Sequence, residues 1–395
     1  MIVKTVFKEG FMRKVFLIFA IICLMLFSGC GSKGQANEQN AVKKENVDDS
    51  PQSIQAAPKK VEPTESLVTV SAIGDVLIHS QLFKDARTGS ESYNFKPMFA
   101  TVKPLLSKSD LAIANQESII GGTELGISSY PLFNSPFEVA DALKDAGIDL
   151  VSTANNHSLD KGEKGILNAI QHYEQIGLPY VGSFKNEADA NTWRIQQVNG
   201  VKIGFLSYTY GTNGIPVPKN KPYLVNLIDE EKMKRDLDTL NGQVDVTIVN
   251  MHWGEEYQSF PSDAQKQWAQ LLVDHGADII IGHHPHVLQP IEWLEAKNGN
   301  KSIVVYSLGN FLSGQKGDGK DIGGIFSIDV IKRTDANGTT LTLKNPRLLP
   351  TYVTKNKNHH YYVELLDRID KNAYEKVMKH MHQWLETKEV TNSIQ

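Results

Sequence analysis

The chain has 395 residues, with 41 Lys and Arg against 45 Asp and Glu, a formal charge of −4 at pH 7 with His neutral. That acidic balance argues against a general nucleic-acid or polyanion binder, while leaving room for a local basic pocket. The two cysteines, Cys23 and Cys30, both fall in the first 30 residues, so the remainder has no disulfide and no thiolate metal ligand.

Residues 1–30 read as an export signal. Lys4, Lys8, Arg13 and Lys14 precede an apolar run from Val15 to Phe27, followed by Ser28-Gly29-Cys30. The run of 13 residues is short for a permanent membrane-spanning helix. Cysteine directly after Ser-Gly is where a bacterial lipoprotein is cleaved and lipidated, although Phe27 stands where Leu is more usual. The expectation is an extracytoplasmic, cell-membrane lipoprotein anchored through Cys30, with ordinary cleavage or an uncleaved anchor as the alternatives. Met12 is a second candidate start, because the segment from there is a complete signal by itself. Removing residues 1–29 takes away four basic residues and one acid, moving the charge to about −7.

Residues 31–66 are polar, without an aromatic residue, and predict a disordered tether. Order is expected from Leu67. Strands are predicted at Leu67–Ile73, Asp110–Ala114, Asp149–Ala154, Val244–Asn250, Asp278–Ile281 and Ile303–Tyr306, with Val201–Tyr208 and Ile325–Ile331 as further candidates. Helices are predicted at Glu138–Ala146, at Glu163–Ile176 closed by Gly177, and at Asp263–His275 between Ser262 and Gly276. Residues 361–386 read as a terminal helix, within a helical extension over 354–395. Strands alternating with helices predict an α/β class with a layered architecture.

The polar residues follow the strand ends. Asp75 lies beyond the first strand, Asn115 and Glu117 beyond the second, and Asn155, Asn156 and His157 beyond the third. His252, then His283, His284 and His286, then Asn310 follow the later strands. Ligands of open α/β sheets bind beyond the carboxyl ends of the strands, so these groups are expected to converge on one sheet edge. Imidazoles, carboxylates and an amide oxygen without thiolates suit Mn, Fe, Zn or Co, as one or two ions. Two such ions sharing a carboxylate would activate water and clamp the oxygens of an in-line displacement.

Each element also has a plain structural alternative. Taken alone, His252 reads more readily as a packing histidine than as a ligand, Asn155-Asn156 as helix caps, Gly74-Asp75 as a turn and Glu117 as a solvated loop acid. Three histidines in Gly282-His283-His284-Pro285-His286 are harder to explain by packing. His172, His275, His359, His360, His380 and His382 read as surface or packing residues.

Gly74-Asp75, Asn115-Gln116-Glu117, Ala154-Asn155-Asn156-His157, His252-Trp253-Gly254-Glu255-Glu256-Tyr257, Gly282-His283-His284-Pro285-His286 and Ser307-Leu308-Gly309-Asn310-Phe311 occur in that order. Together they resemble the CapA family of bacterial capsule-synthesis proteins, which includes the poly-γ-glutamate synthesis accessory protein, over residues 67–353. That family is similar to the calcineurin-like metallophosphoesterases, which implies a four-layered α/β/β/α sandwich of metallo-dependent phosphatase type. By position, the resemblance implies that Asp75, Glu117, Asn156, His252, His284 and His286 are metal ligands, with Glu117 bridging, and that His157 is the general acid. It also shows a departure: Leu77 occupies the histidine position of the superfamily's Asp-x-His, leaving His79 as the candidate replacement. Asn115, Asn155, His283, Tyr257 and Asn310 are candidate supporting or pocket residues.

Two functions compete. One is a metal-dependent, phosphoesterase-like hydrolase at the cell surface, acting in capsule or poly-γ-glutamate biosynthesis. The other is a non-catalytic accessory protein supporting polymer synthesis, export or retention, its metal site structural or carboxylate-binding. Expected partners are the membrane, polymer-synthase subunits in it, and an anionic polymer or phosphoester, with no nucleic acid. A solute-binding lipoprotein fits the tether but not the clustered histidines.

Overall fold

The computed structural model describes residues 62–385. The signal, Cys30 and most of the tether lie outside them. Among the described residues no helix is long and apolar enough to cross a membrane.

Among the described residues, fourteen strands form two sheets. The first sheet contains β1 (Thr64–Leu77), β2 (Leu111–Gln116), β3 (Leu150–Ser152) and β4 (Tyr180–Val181). The second contains β5 (Arg194–Val198), β6 (Val201–Thr209), β7 (Val246–His252), β8 (Ile279–His283), β9 (Leu288–Glu295) and β10 (Lys301–Leu308). The chain then returns to the first sheet with β11 (Asn310–Ser313), β12 (Ile322–Asp335), β13 (Gly338–Lys355) and β14 (Tyr361–Leu365). The orders are β14-β13-β12-β1-β2-β3-β4, with β11 also on β1, and β5-β6-β7-β8-β10-β9. Strands β1 to β4 are mutually parallel, as are β6, β7, β8 and β10.

Alternation along β1 explains the layers. Val68, Val70 and Ala72 join Leu111, Ile203, Phe205, Ile248, Ile281 and Ile303 in a core between the two sheets. Ile73 and Val76 belong instead to a core with Leu82, Leu143, Ile166 and Ile170, from the helices on the far side of the first sheet. The second sheet's other face (Tyr208, Val249, Met251, Ile280) packs on Met233, Leu237, Leu272 and Val273 of its own helices. Helix, sheet, sheet, helix is therefore the order of the layers, as the resemblance implied. Burial of each large aliphatic side chain contributes about 1.5–3 kcal/mol.

Local signals account for the helices. Ser262 and Gln265 form a reciprocal capping box at the start of Asp263–Asp274. Gly177 ends Gly162–Ile176 with φ 63°, a conformation that favours glycine.

Three expectations are corrected. Strand β1 starts at Thr64, three residues inside the tether reading, because Thr64 to Leu67 pair with Thr334 to Ile331 of β12. Residues 361–365 are strand, not helix: β14 pairs antiparallel with β13, and the helix over Lys371–Met381 begins only after Asp370 caps it. The extension over 354–395 is thus part sheet in its described portion. Gly74-Asp75 is not a turn but lies within β1. A Cβ on Gly74 would fall 2.1 Å from the Gly309 carbonyl oxygen, so only glycine lets these backbones approach.

Candidate metal centre

The parallel strands of both sheets end on the same side of the molecule, and their last residues supply the site. In register, Asp75 of β1 stands beside Asn115 of β2 and Asn310 of β11, and His252 of β7 beside His283 of β8. The donors therefore come from two facing sheets rather than the edge of one.

Glu117 is the centre of the cluster. Its amide donates to the Val76 carbonyl at 3.1 Å, which anchors the backbone just past β2. The side chain is fully buried, and neither carboxylate oxygen has a hydrogen-bond partner. The solvated-loop reading of Glu117 is excluded by that burial. Its Oε1 lies 3.6 Å from His286 Nε2 and 3.7 Å from His252 Nε2. Ligand atoms of Glu117, His284 and His286 all lie within 4.8 Å of one another.

The two histidines reach this point through a strained turn after β8. His284 has φ 97° and His286 has φ 57° on either side of Pro285, a backbone cost of about 1–3 kcal/mol each. The turn is held by the Trp253 amide on the His283 carbonyl at 3.1 Å and the Tyr257 amide on the Pro285 carbonyl at 2.8 Å. Asp75 holds it from below: the His284 amide donates to Oδ2 at 3.3 Å, and His286 Nδ1 lies 3.1 Å from the same oxygen. Asn115 Nδ2 donates to Asp75 Oδ1 at 2.8 Å, and His283 Nδ1 lies 3.4 Å from it.

Asn156 and His252 close the other side. His252 Nε2 donates to Asn156 Oδ1 at 3.0 Å, which leaves its buried Nδ1 without a partner. Asn155 is a brace, donating to the Gln116 carbonyl at 2.9 Å and accepting from the His157 amide at 3.0 Å. It caps no helix, since the helix that follows starts at Gly162 after Lys161. His157 Nδ1 donates to Asp160 Oδ2 at 2.7 Å, and the same oxygen accepts from the Phe133 amide at 2.7 Å. The Phe133 ring lies edge-on to both His157, at 4.6 Å, and His79, at 5.1 Å.

The segment after β1 stays extended through His79, but the imidazole is engaged elsewhere. Its Nδ1 is 3.1 Å from the Leu77 carbonyl and accepts from the Gly314 amide at 3.2 Å. His79 is not in the Glu117–His284–His286 group. Asn310 is buried with Oδ1 unpartnered, its Nδ2 donating to the Lys320 carbonyl at 2.7 Å. Tyr257 stands at the rim, accepting from Gln315 at 3.3 Å, its ring 6.1 Å from His286.

Charge is distributed unevenly. Burial pushes His286 down, but the Glu117 and Asp75 carboxylates outweigh it and place its pKa at about 9. Burial, then the charge on His286, lowers His284 to about 3. Burial likewise holds His252 well below the usual imidazole range. Burial, with Asp75 adding to it against His286, raises Glu117 well above the usual carboxylate range. Asp75 lies well below that range, because bonds to His283 and His286 overcome its own burial.

The orphaned Glu117 carboxylate stands among His252, His284 and His286, and His252 and His284 each leave a buried nitrogen unpartnered. Native interiors tolerate few unpartnered polar atoms, and a divalent cation satisfies such a set at one stroke. The residues present fit a metal. Two contributors escaped the sequence reading. Asp160 lies three residues past His157, and Tyr210 follows β6 as the other site residues follow their strands. The Tyr210 ring sits 4.6 Å from that of His284 and parallel to His252 at 6.3 Å.

Comparisons with known proteins give the chain's family. The chain is 32% identical over 268 residues to the capsule biosynthesis protein CapA of Bacillus anthracis, covering 66% of this chain and 62% of that protein. It is 30% identical over 269 residues to the PGA biosynthesis protein CapA of Bacillus subtilis strain 168, covering 65% and 66%. The match thus spans just under two thirds of the curated relatives' own lengths. Among solved structures, a calcineurin-like phosphoesterase, YfkN, of Bacillus subtilis superposes with TM-score 0.41 at 14% identity, covering 80% of this chain and 99% of that one. Residues 69–315 match the model of the bacterial capsule synthesis protein PGA_cap family, which includes every residue of the cluster, and the chain belongs to that family.

Proposed function

We propose that this protein is a metal-dependent hydrolase of phosphoesterase type serving capsule or poly-γ-glutamate biosynthesis at the cell surface. The observation that supports it is the buried Glu117 carboxylate with both oxygens unpartnered among three histidines. Glu117, His252, His284 and His286 would hold the ion, with Asp75 and Asn156 bracing or joining them. When bound, such an ion supplies a water acidified toward neutrality and a Lewis acid for the ester oxygen. His157, fixed by Asp160 through Nδ1, presents Nε2 to a leaving-group oxygen as a proton donor. Capsule biosynthesis comes from the names of the relatives, and the surface anchor from the signal and Cys30.

A second reading is favoured by one observation. Leu77, 2% exposed, fills the position that resembles a ligand histidine, and His79 is tied to the backbone of Gly314. A site with fewer donors suits a structural or carboxylate-binding metal in an accessory protein acting with membrane synthase subunits.

Metal analysis of purified protein tests both. About one to two equivalents of Mn, Fe, Zn or Co are expected, lost in a His284→Ala/His286→Ala variant. Turnover of an aryl phosphate ester by the loaded protein supports the hydrolase. Metal without turnover of any ester supports the accessory role, and no metal under any loading condition ends both.

A further inference from the structure

A cleft of about 540 Å³ opens beside the cluster, with His284 in its wall. His284 is 3% exposed and its Nδ1 has no partner. Its lining also includes Tyr210, whose ring lies 4.6 Å from that of His284, together with Trp253, Trp268, Glu255 and Glu256. Trp253 is fully buried behind the cleft, its indole N–H donating to the Tyr306 carbonyl at 2.9 Å, so it fixes the floor from which Gly254, Glu255 and Glu256 leave and presents no open face itself. Gly254, at φ 84°, turns the chain sharply after Trp253, and Glu255 and Glu256 follow as exposed residues on the cleft lining. Among the described residues that line the cleft, none is Lys or Arg. Among the described residues, no lysine or arginine pairs with Glu255 or Glu256 either; the nearby Lys320 lies over the Tyr257 ring at 5.1 Å and pairs with Asp318.

Among the described residues Glu255 and Glu256 thus have no Lys or Arg counter-ion, Glu256 facing the Tyr257 hydroxyl and the His286 imidazole. Beside the Tyr210 and Trp268 rings they make an environment that repels an anionic chain and attracts an organic cation. Aromatic faces attract ammonium groups through the ring quadrupole, and nearby carboxylates add to that attraction. A hydrated metal ion would gain from the acids alone and leave the Tyr210 and Trp268 rings unused. We propose that this cleft is a subsite for an organic ammonium group, so that the ester presented to the histidine cluster carries a positive charge on the side of Trp268. The word ester rests on the hydrolase reading above; the binding of the cation does not.

Choline is the probe for binding. Titrated into the metal-loaded protein, it is expected to change the tryptophan fluorescence saturably. Affinity should fall roughly five- to ten-fold in Glu255→Gln/Glu256→Gln, as expected for two partly exposed charges. Trp268→Leu, which keeps both acids, should weaken binding by a similar factor. For turnover, p-nitrophenyl phosphorylcholine is compared with methyl p-nitrophenyl phosphate, which lacks the ammonium. The ratio of their kcat/KM values should exceed one and fall five- to ten-fold in the double glutamine variant. Saturable choline binding with neither ester turned over supports the subsite and counts against the hydrolase. Absence of choline binding, a response to Ca²⁺ but not to choline, or equal kcat/KM values for the two esters overturns the subsite while leaving the hydrolase intact.

Discussion

Glu117→Gln separates the cost of the cluster from its use. In the metal-free protein the buried carboxylate has two unpartnered oxygens, and burial together with the Asp75 charge outweighs the help of His286 and disfavours its charged form. An amide of the same shape removes the charge, and the metal-free variant should be more stable by on the order of 1–2 kcal/mol. At about 2 °C per kcal/mol for a domain of this size, its melting temperature in EDTA rises by roughly 2–4 °C. Metal reverses the order. An ion at a thousand times its dissociation constant stabilises the unaltered protein by about 4.1 kcal/mol. Loss of the central carboxylate, weakening binding about a hundred-fold, leaves roughly 1.4 kcal/mol at the same metal concentration. Thermal melts of both proteins, in EDTA and in saturating Mn²⁺ or Zn²⁺, make the comparison. The crossing of the two curves is the signature. A variant that melts below the unaltered protein in EDTA as well as in metal would refute the reasoning, since Glu117 would then be a stabilising structural acid.

Two further outcomes follow from the same geometry. His286, with its pKa at about 9, is mostly cationic at pH 7.5, whereas His284, at about 3, is already neutral. Metal must displace the proton on His286, so binding at pH 7.5 should release about one proton or more per ion. Apparent affinity should therefore climb as the pH rises toward 9, and calorimetry in buffers of different ionisation enthalpy reads the release; zero release would show His286 to be neutral or unligated. His157→Ala should lower kcat for an aryl phosphate ester at least a hundred-fold, with metal content preserved, because His157 bonds to Asp160 and not to the Glu117 group. Parallel loss of metal would make His157 part of the ion's support instead.

Much of this protein is legible in its sequence. The eight expected strands and three of the four expected helices are present, because each is a short apolar run or an amphipathic stretch bounded by caps and glycines; the terminal helix is present only from Lys371. Some missed elements carried signals too: Asn199-Gly200, with φ 48° and 82°, makes the two-residue hairpin between β5 and β6. Asp229 caps the helix over Glu230–Asn241 through its side chain. Residues 361–365 deceived because an apolar run there is ambiguous until β13 offers an edge to pair with.

The sequence alone determined which residue types stand at the strand ends, since each fully buried parallel strand reads as a continuous apolar run and the polar residues begin where that run stops. Tertiary structure decided what those residues do. Glu117 is orphaned only because the second sheet covers it, and His79 is diverted only because the Ser313–Gly314 turn of β11 returns beside it. Tyr210 and the acids after Trp253 meet across a cleft between segments more than 40 residues apart. Propensity acts within a few residues, whereas burial, partner and charge at a site are set by chain segments that only the packing of two sheets brings together.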